Sequence, residues 1–221
     1  MNALPTISMH AWIVLDNLAR VYLVARLNEL HLKQKTLNLG CGNQLFGDVR
    51  VDKYRGATNF IADVEAPLPF KDASFEIVYS RFLFEHLKNP SFVLKEMVRV
   101  LKPGGKIILI TDNAAYPPFH LPSSYGSGFH VGGYKGSGVE DKHYGLYTLE
   151  HLTYHFQYAG LEIEILKYVY ADEVGGKGGI WQKISKLFRI YQLTVFKPFC
   201  MPNILAIGTK PSKIPSQTHK I

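Results

Sequence analysis

Residues 37–42 read Leu-Asn-Leu-Gly-Cys-Gly, an apolar run that breaks into a Gly-x-Gly turn. Such a run predicts a buried strand, and the glycines after it let the backbone approach a neighbour or a ligand closely. Further strands are predicted downstream, at 48–52, 59–63, 75–80 and 105–111. The second strand ends on Asp52 and the third on Asp63, so two carboxylates follow neighbouring strands.

Helices are predicted between and after these strands. Asn89-Pro90-Ser91 is a good start signal for a helix over 90–101, and Pro103-Gly104-Gly105 ends it. The remaining predicted elements are a helix at 147–159, a strand at 161–170, a helix at 180–193 and a strand at 203–209. Strands that alternate with helices in this way indicate an α/β fold, a Rossmann-like doubly wound and mostly parallel sheet.

Four motifs lie in order between residues 37 and 112: L-N-L-G-C-G, D-x-x-x-x-L-P-F, E-H-L and L-K-P-G-G. Together they resemble the class I S-adenosylmethionine (SAM)-dependent methyltransferases, in particular the small-molecule and glycan-type branch. The resemblance implies a seven-stranded sheet with the last strand antiparallel, and SAM as the cofactor. The connection between 41 and 50 has room for one helical turn only, and a branch of the family with L-N-L-G-C-G has the same short connection.

The glycine turn favours SAM over a dinucleotide. A dinucleotide site would want a third glycine at position 45 to pack beneath a pyrophosphate, and this chain has Leu45. SAM has no phosphate, so it does not need that glycine.

The resemblance also implies a cofactor site. Asp52 would accept hydrogen bonds from the ribose hydroxyls, and Asp63 with the Val64 backbone N–H would lie beside the adenine. Ser80 and Arg81 would face the methionine half, and His86 would either approach the sulfonium or brace its loop. The whole predicted set is Asn38, Gly40, Cys41, Gly42, Asp52, Lys53, Asp63, Val64, Ser80, Arg81 and His86. Asn38 stands where the family usually has Asp or Glu, and Cys41 is interpreted as a small buried filler rather than a nucleophile.

A hydroxyl acceptor needs a base to remove its proton. Candidates are His120, His130 and His143, with Asp112 at the end of the fifth strand. The segment His143-Tyr144-Gly145-Leu146-Tyr147-Thr148 resembles one found in methyltransferases of surface-polysaccharide and glycolipid pathways. We therefore predict His143 and Asp112 as the catalytic residues; a structural role for His143 is the alternative. No metal site is predicted, because His151 and His155 lack an acidic partner.

The predicted function is O-methylation of a small-molecule or glycan-type acceptor. Nucleic-acid bases are disfavoured as acceptors, because no aromatic shelf for a flipped base follows Ser80. The alternatives are an RNA or lipid-quinone methyltransferase, and a degenerate SAM-binding scaffold, which the Asn38 substitution keeps open.

Charge is distributed unevenly along the 221 residues. The first 173 carry 17 Lys and Arg against all 18 acidic residues, whereas residues 174–221 carry 8 Lys and Arg and no acid. This basic end is either a solvated face or a contact for phosphate or a membrane surface, and residues 181–191 have the pattern of a peripheral membrane helix or of an ordinary packed helix.

Three regions are expected along the chain. They are an N-terminal helical segment at 1–35, a methyltransferase domain at 36–211 with a lid or substrate loop at 113–145, and a disordered tail at 212–221. Two cysteines provide no disulfide framework, and no leader or membrane span is visible in the sequence, so the expected location is cytoplasmic with an optional peripheral membrane contact.

Overall fold

The computed structural model describes residues 34–117, 143–174, 180–187 and 194–212. The predicted N-terminal helix, most of the predicted loop at 113–145, the second half of the predicted helix at 180–193 and nearly all of the tail lie outside these ranges.

Seven strands form one sheet in the described ranges, in the order β3-β2-β1-β4-β5-β7-β6. The strands are β1 (Thr36–Leu39), β2 (Val49–Asp52), β3 (Phe60–Ile61), β4 (Phe75–Arg81), β5 (Leu101–Asp112), β6 (Glu162–Val169) and β7 (Asn203–Thr209). The first five pair in parallel, and β7 runs antiparallel to both of its neighbours. The predicted doubly wound sheet with an antiparallel last strand is therefore confirmed.

Four α-helices are described: α1 (Pro90–Val100), α2 (Leu149–Tyr158), α3 (Ile180–Leu187) and α4 (Lys197–Cys200). α1 begins as its sequence predicts, because the Asn89 side chain accepts a hydrogen bond from the Phe92 N–H and Pro90 stands in the first turn. Thr148 caps the start of α2, because its hydroxyl accepts from the His151 N–H, and the chain turns after the helix at Gly160, with φ of +77°.

The connection from β1 to β2 contains no helix, although parallel strands usually need a longer crossover. It is held by polar contacts instead. The Asp48 carboxylate accepts from the Thr36 N–H at 2.7 Å, and the Arg50 guanidinium donates to the Gly47 and Ala57 carbonyls. These bonds stabilise a turn that is too short to pack a helix.

The sheet is packed on both faces. On one face, α1 and α2 place Met97 and Phe156 against strand residues such as Leu39 and Leu109. On the other, Tyr79 and Ile108 belong to a second buried cluster. A strand covered on both faces is apolar at successive positions, which explains the continuous apolar runs of the sequence.

Arg99 fastens the Leu-Pro-Phe motif to α1. Its guanidinium donates to the carbonyls of Leu68 and Phe70 and to the carboxylates of Asp72 and Glu96, and Glu96 also accepts from the Leu68 N–H at 2.7 Å. This pairing lowers the pKa of the Glu96 carboxyl and raises that of Arg99. The motif is thus an architectural clamp that fixes the chain between β3 and β4.

Candidate functional site

The Gly-x-Gly turn lies at the carboxyl end of β1. Gly40 and Gly42 have φ of +67° and +50°, a region that residues with side chains rarely adopt. The Gly40 and Cys41 N–H groups both donate to the Val51 carbonyl, at 2.9 and 3.1 Å, which holds the turn against β2. A Cβ on Gly42 would meet nothing within 4 Å, whereas one on Gly40 would lie 2.9 Å from the Leu83 side chain. The open approach to the turn is therefore over Gly42.

Asp52 follows β2 beside this turn. Its Oδ2 accepts from the Gly42 N–H at 2.8 Å, and its Oδ1 accepts from the Tyr54 N–H at 2.9 Å. A carboxylate has about four lone-pair sites, so about two remain for further donors. Asp52 is partly exposed and next to the open space at Gly42. The Asp52 carboxylate fits a ribose diol, because each of its two oxygens can still accept a hydrogen bond.

Asp63 lies two residues beyond β3. Its Oδ1 accepts from the Glu65 N–H at 3.0 Å, and its Oδ2 is 3.7 Å from the Lys53 ammonium, with both side chains at least half exposed. Glu65 in turn accepts from the Lys88 and Asn89 N–H groups at the start of α1. The structure thus brings Asp63 and Lys53 together at the carboxyl edge next to Asp52, with the buried Val64 behind them.

Asn38 lies beneath the turn and is fully buried. Its amide donates to the Phe46 carbonyl at 2.9 Å, and its Oδ1 has no hydrogen-bond partner among the described residues. A carboxylate could not donate this bond, which is a physical reason for an amide here. Because Asn38 supports the connection from β1 to β2, its presence is not in itself a sign of a degenerate site.

Cys41 is completely buried, and burial raises the pKa of its thiol, with the nearby Asp52 charge adding to the effect. A high thiol pKa keeps the sulfur protonated and disfavours nucleophilic chemistry. This placement agrees with a filler role.

Ser80 and Arg81 end β4 on opposite faces of the sheet. The Ser80 hydroxyl is buried and has no hydrogen-bond partner among the described residues, so it is a polar atom that a ligand could satisfy. The Arg81 guanidinium lies over the Phe82 ring and donates to the Val174 carbonyl. Arg81 therefore braces β4 against the segment after β6, and its predicted contact with the cofactor stays a prediction.

A histidine and aspartate cluster lies at the carboxyl ends of β4 and β5. The His143 Nδ1 is 3.8 Å from the Asp112 Oδ2, with both side chains mostly buried. The His86 ring packs edge-on against the His143 ring, with centroids 4.6 Å apart. Asp112 Oδ1 accepts from the Asn203 amide at 3.0 Å. His143 thus lies against two residues that were predicted separately from the sequence, Asp112 and His86.

A strap, residues 143–147, whose last two residues are buried, holds His143 in place. The Glu85 carbonyl accepts from the Tyr144 N–H at 2.6 Å, and the Tyr147 hydroxyl donates to the Phe84 carbonyl at 3.1 Å. The Glu85 carboxylate, which is 1% exposed, accepts from the Thr111 hydroxyl at 2.7 Å. Burial raises the pKa of Tyr147, and the Glu85 charge adds to it, so the hydroxyl remains a donor.

The sequence reasoning missed Glu85, Thr111, Asn113 and Asn203. Glu85 is the first residue of the E-H-L motif, which was the available signal for it. Asn113 donates to the carbonyls of Pro198 and Met201, at 2.6 and 2.7 Å, across some 85 to 88 residues of chain. No local sequence pattern predicts a contact between residues so far apart in the chain.

A groove of about 460 Å³ is lined by strap residues 144–147 and by neighbours that include Lys88 and His155. Burial lowers the pKa of His155, and His151 adds to the effect, so the ring is mostly neutral near pH 7. The groove includes none of the predicted cofactor residues.

Within the described ranges, no group of three or more His, Cys, Asp or Glu side chains could hold a metal ion.

Comparison with known proteins finds similarity at the level of the domain and of the fold. Residues 47–109 match the model of a methyltransferase domain. Over the chain as a whole, the fold is similar to that of a SAM-dependent methyltransferase from Thermotoga maritima, with a TM-score of 0.57 and 16% identity, covering 91% of this chain and 94% of that one. The domain match covers 63 of the 221 residues, and the structural similarity shows that the chain has the fold of that SAM-dependent methyltransferase.

Among curated relatives, the chain is 41% identical over 58 residues to the ubiquinone/menaquinone biosynthesis C-methyltransferase UbiE of Laribacter hongkongensis, which is 26% of this chain and 23% of that protein. It is 29% identical over 122 residues to the malonyl-[acyl-carrier protein] O-methyltransferase of Erwinia billingiae, which is 41% of this chain and 47% of that protein. The chain thus spans less than half of each of these relatives.

None of the described helices is long and apolar enough to cross a membrane.

Proposed function

We propose that the protein transfers the methyl group of SAM to an oxygen of a small-molecule or glycan-type acceptor. The observation that carries this proposal is the His143 and Asp112 pair at the carboxyl end of β5, where open α/β sheets bind their ligands. When bound, SAM supplies an electrophilic methyl group on a sulfonium. The residues of the chain must hold the cofactor, orient the acceptor and accept a proton.

The cofactor half of the site is assigned to three residues. The open backbone at Gly42 admits close approach, and Asp52 retains acceptor capacity for the ribose hydroxyls. Asp63 stands next along the same edge for the adenine side. Methyl transfer depends strongly on positioning, so the rigid attachment of these residues to β2, β3 and α1 favours catalysis.

The acceptor half is assigned to His143, which would take the hydroxyl proton. An imidazole is suited to this step near neutral pH. The Asp112 carboxylate at 3.8 Å is too far for a direct hydrogen bond in this geometry, but its charge favours the imidazolium that forms. Asn203 holds Asp112 from the opposite side.

A lipid-quinone acceptor is the second candidate, and the local similarity to UbiE favours it. That relative is a C-methyltransferase by name, whereas the Erwinia billingiae relative is an O-methyltransferase. The similarity to both is confined to less than half of this chain, so it supports the cofactor half more than the choice of acceptor.

The first test of the proposal measures cofactor binding, and the second detects methylated product. SAM and S-adenosylhomocysteine should each raise the melting temperature, since a ligand at about 100 times its Kd stabilises by about 2.7 kcal/mol. NADH is the control ligand and should leave the melting temperature unchanged. Labelled SAM is then incubated with soluble glycans, phenolic small molecules, quinones and RNA. Stabilisation by NADH and not by SAM would overturn the cofactor, and labelling of RNA or of a quinone carbon would overturn the acceptor class.

Replacing Asp52 with alanine is expected to weaken SAM binding by about 1.5–3 kcal/mol, the range for hydrogen bonds to a charged group. The effect has two sources, because the variant removes a ribose acceptor and also releases the Gly42 N–H that shapes the turn. Calorimetry measures it. Asp72→Ala, a carboxylate on the clamp between β3 and β4, is the control; equal SAM affinity of a folded Asp52→Ala protein would contradict the ribose assignment.

A further inference from the structure

The C-terminal part of the protein exposes large apolar side chains on a short stretch of chain. Leu187 at the end of α3 is 76% exposed, and Val195 in the following 3₁₀ turn (Thr194–Phe196) is 77% exposed. Phe196 and Phe199 are 45% and 46% exposed. Single exposed apolar residues are ordinary, but these four lie on segments that contact one another, since α4 contacts both α3 and the 3₁₀ turn, and such a concentration usually marks an interaction site. We call these four residues the apolar surface.

Basic residues accompany the apolar surface and acidic residues do not. Residues 174–221 contain 8 Lys and Arg without a single Asp or Glu. Lys183 is exposed on α3, and Lys197 begins α4 next to Phe196 and Phe199. The Lys186 ammonium lies over the Tyr170 ring, 4.2 Å from its centroid, so this third lysine of the region packs against the residue that follows β6. Apolar side chains with cations beside them match the chemistry of an anionic lipid surface.

This surface is attached directly to the candidate site. Asn113 follows Asp112 at the end of β5, and its amide donates to the carbonyls of Pro198 and Met201 on both ends of α4. Its own N–H donates to the Pro202 carbonyl at 2.9 Å. Asn203, the next residue along the chain, holds Asp112. Hydrogen bonds from two buried amides therefore link α4 to the end of β5 that carries Asp112.

We propose that the apolar surface docks the protein peripherally on an anionic membrane. Leu187, Val195, Phe196 and Phe199 enter the boundary between headgroups and acyl chains, and Lys183 and Lys197 face lipid phosphates. A second copy of this chain is a poorer occupant, because two surfaces with only basic charge would repel each other. Docking does not depend on the proposed methyl transfer; where that function holds, docking brings a lipid-borne acceptor to Asp112 and His143.

The test uses the full chain, without SAM or acceptor, so that its result is independent of catalysis. Co-sedimentation is expected with vesicles of phosphatidylglycerol and phosphatidylcholine, and not with phosphatidylcholine alone. Binding should weaken as salt is raised to physiological strength, where the Debye length is about 8 Å. Lys183→Gln with Lys197→Gln should lower the vesicle affinity by about tenfold or more, as removal of two basic residues near an anionic surface predicts. Lys71→Gln with Lys95→Gln, two exposed lysines elsewhere, is the matched charge control and should bind like wild type.

The apolar contribution is tested separately. Leu187→Ser with Val195→Ser changes the two most exposed side chains of the surface, so folding should be preserved, and binding to anionic vesicles should be largely lost. Tyr154→Ser with Tyr158→Ser, two exposed aromatics on α2, is the matched control. A polarity-sensitive fluorophore on Val195→Cys should shift to the blue with anionic vesicles, and one on Tyr154→Cys should not; the native Cys41 and Cys200 are buried and should label poorly.

Three results would overturn the proposal. They are no sedimentation of wild type with anionic vesicles, equal losses in the surface and control variants, and a dimer in solution that Leu187→Ser with Val195→Ser dissociates while vesicles are not bound. The last result would assign the surface to a second copy of the chain. None of them bears on SAM binding, so the proposed function stands or falls by its own assays.

Discussion

His143→Ala is expected to lower kcat by about 10²–10⁴-fold, the usual contribution of a positioned general base. The affinity for SAM should remain nearly unchanged, because the three residues assigned to the cofactor half, Gly42, Asp52 and Asp63, follow β1, β2 and β3 and do not belong to the strap. Steady-state kinetics gives kcat and KM, and calorimetry gives the affinity for SAM. A loss confined to kcat is the signature of an interaction made in the transition state.

Two variants separate chemistry from structure in this test. His155→Ala removes another half-buried histidine and should leave kcat within a few-fold of wild type. Asp112→Asn keeps the size of the side chain and an oxygen for the Asn203 amide but removes the charge that favours the imidazolium. Its kcat should fall less than that of His143→Ala. If His143→Ala costs only a few-fold in kcat, the residue is structural, and Asp112 or His120 becomes the candidate base.

The parts of the fold that could be predicted are those encoded locally. The strand β7 has the predicted bounds 203–209, because a short apolar run between turn residues is a complete signal by itself. α1 follows from Asn89 and Pro90 for the same reason. β5 begins at Leu101, four residues before the predicted 105, because the Leu101 backbone pairs with Phe75 before the glycines and a bulge follows. The pairing partner, not the local sequence, decides that boundary.

The cofactor edge could be predicted because it consists of strand ends. Asp52 and Asp63 follow neighbouring parallel strands, so the topology alone brings them to one edge. Local pattern could not reveal that Asp52 also binds the Gly42 N–H, or that Asn38 holds the Phe46 carbonyl. Both bonds depend on the fold of a connection that has no regular structure.

The acceptor side was only partly accessible from sequence, because its contacts join distant segments. His143 and Asp112 were predicted as separate candidates, and the contact of His143 with His86 joins residues that are far apart in the chain. The exposed apolar surface was also not evident, because no local pattern separates an exposed Val195, Phe196 or Phe199 from a buried one. Exposure is a property of the packed structure, and only the structure shows that exposed apolar side chains accompany the basic residues of this end.

The buried Glu85 carries the second large effect that the structure predicts. Its carboxylate accepts from the Thr111 hydroxyl, and its carbonyl accepts from the strap at Tyr144 and Gly145. Glu85→Ala would leave a cavity and a buried hydroxyl that has lost this partner. Cavity formation and a lost buried hydrogen bond together are expected to cost about 2–4 kcal/mol of the free energy of unfolding. For a chain of this size that lowers the melting temperature by about 4–16 °C.

Glu85→Gln is the control, because a glutamine fills the same space and its Oε1 can still accept from Thr111. Glu85→Gln should lower the free energy of unfolding by less than half as much as Glu85→Ala, and urea unfolding of both variants measures the difference. A double-mutant cycle with Thr111→Val isolates the pair and should give a coupling of about 0.5–3 kcal/mol. If Glu85→Ala unfolds within about 0.5 kcal/mol of wild type, the carboxylate is dispensable, since a surface substitution costs no more. If it is destabilised as expected, kcat should also fall while SAM affinity holds, because the strap that Glu85 supports is the segment that positions His143 beside Asp112.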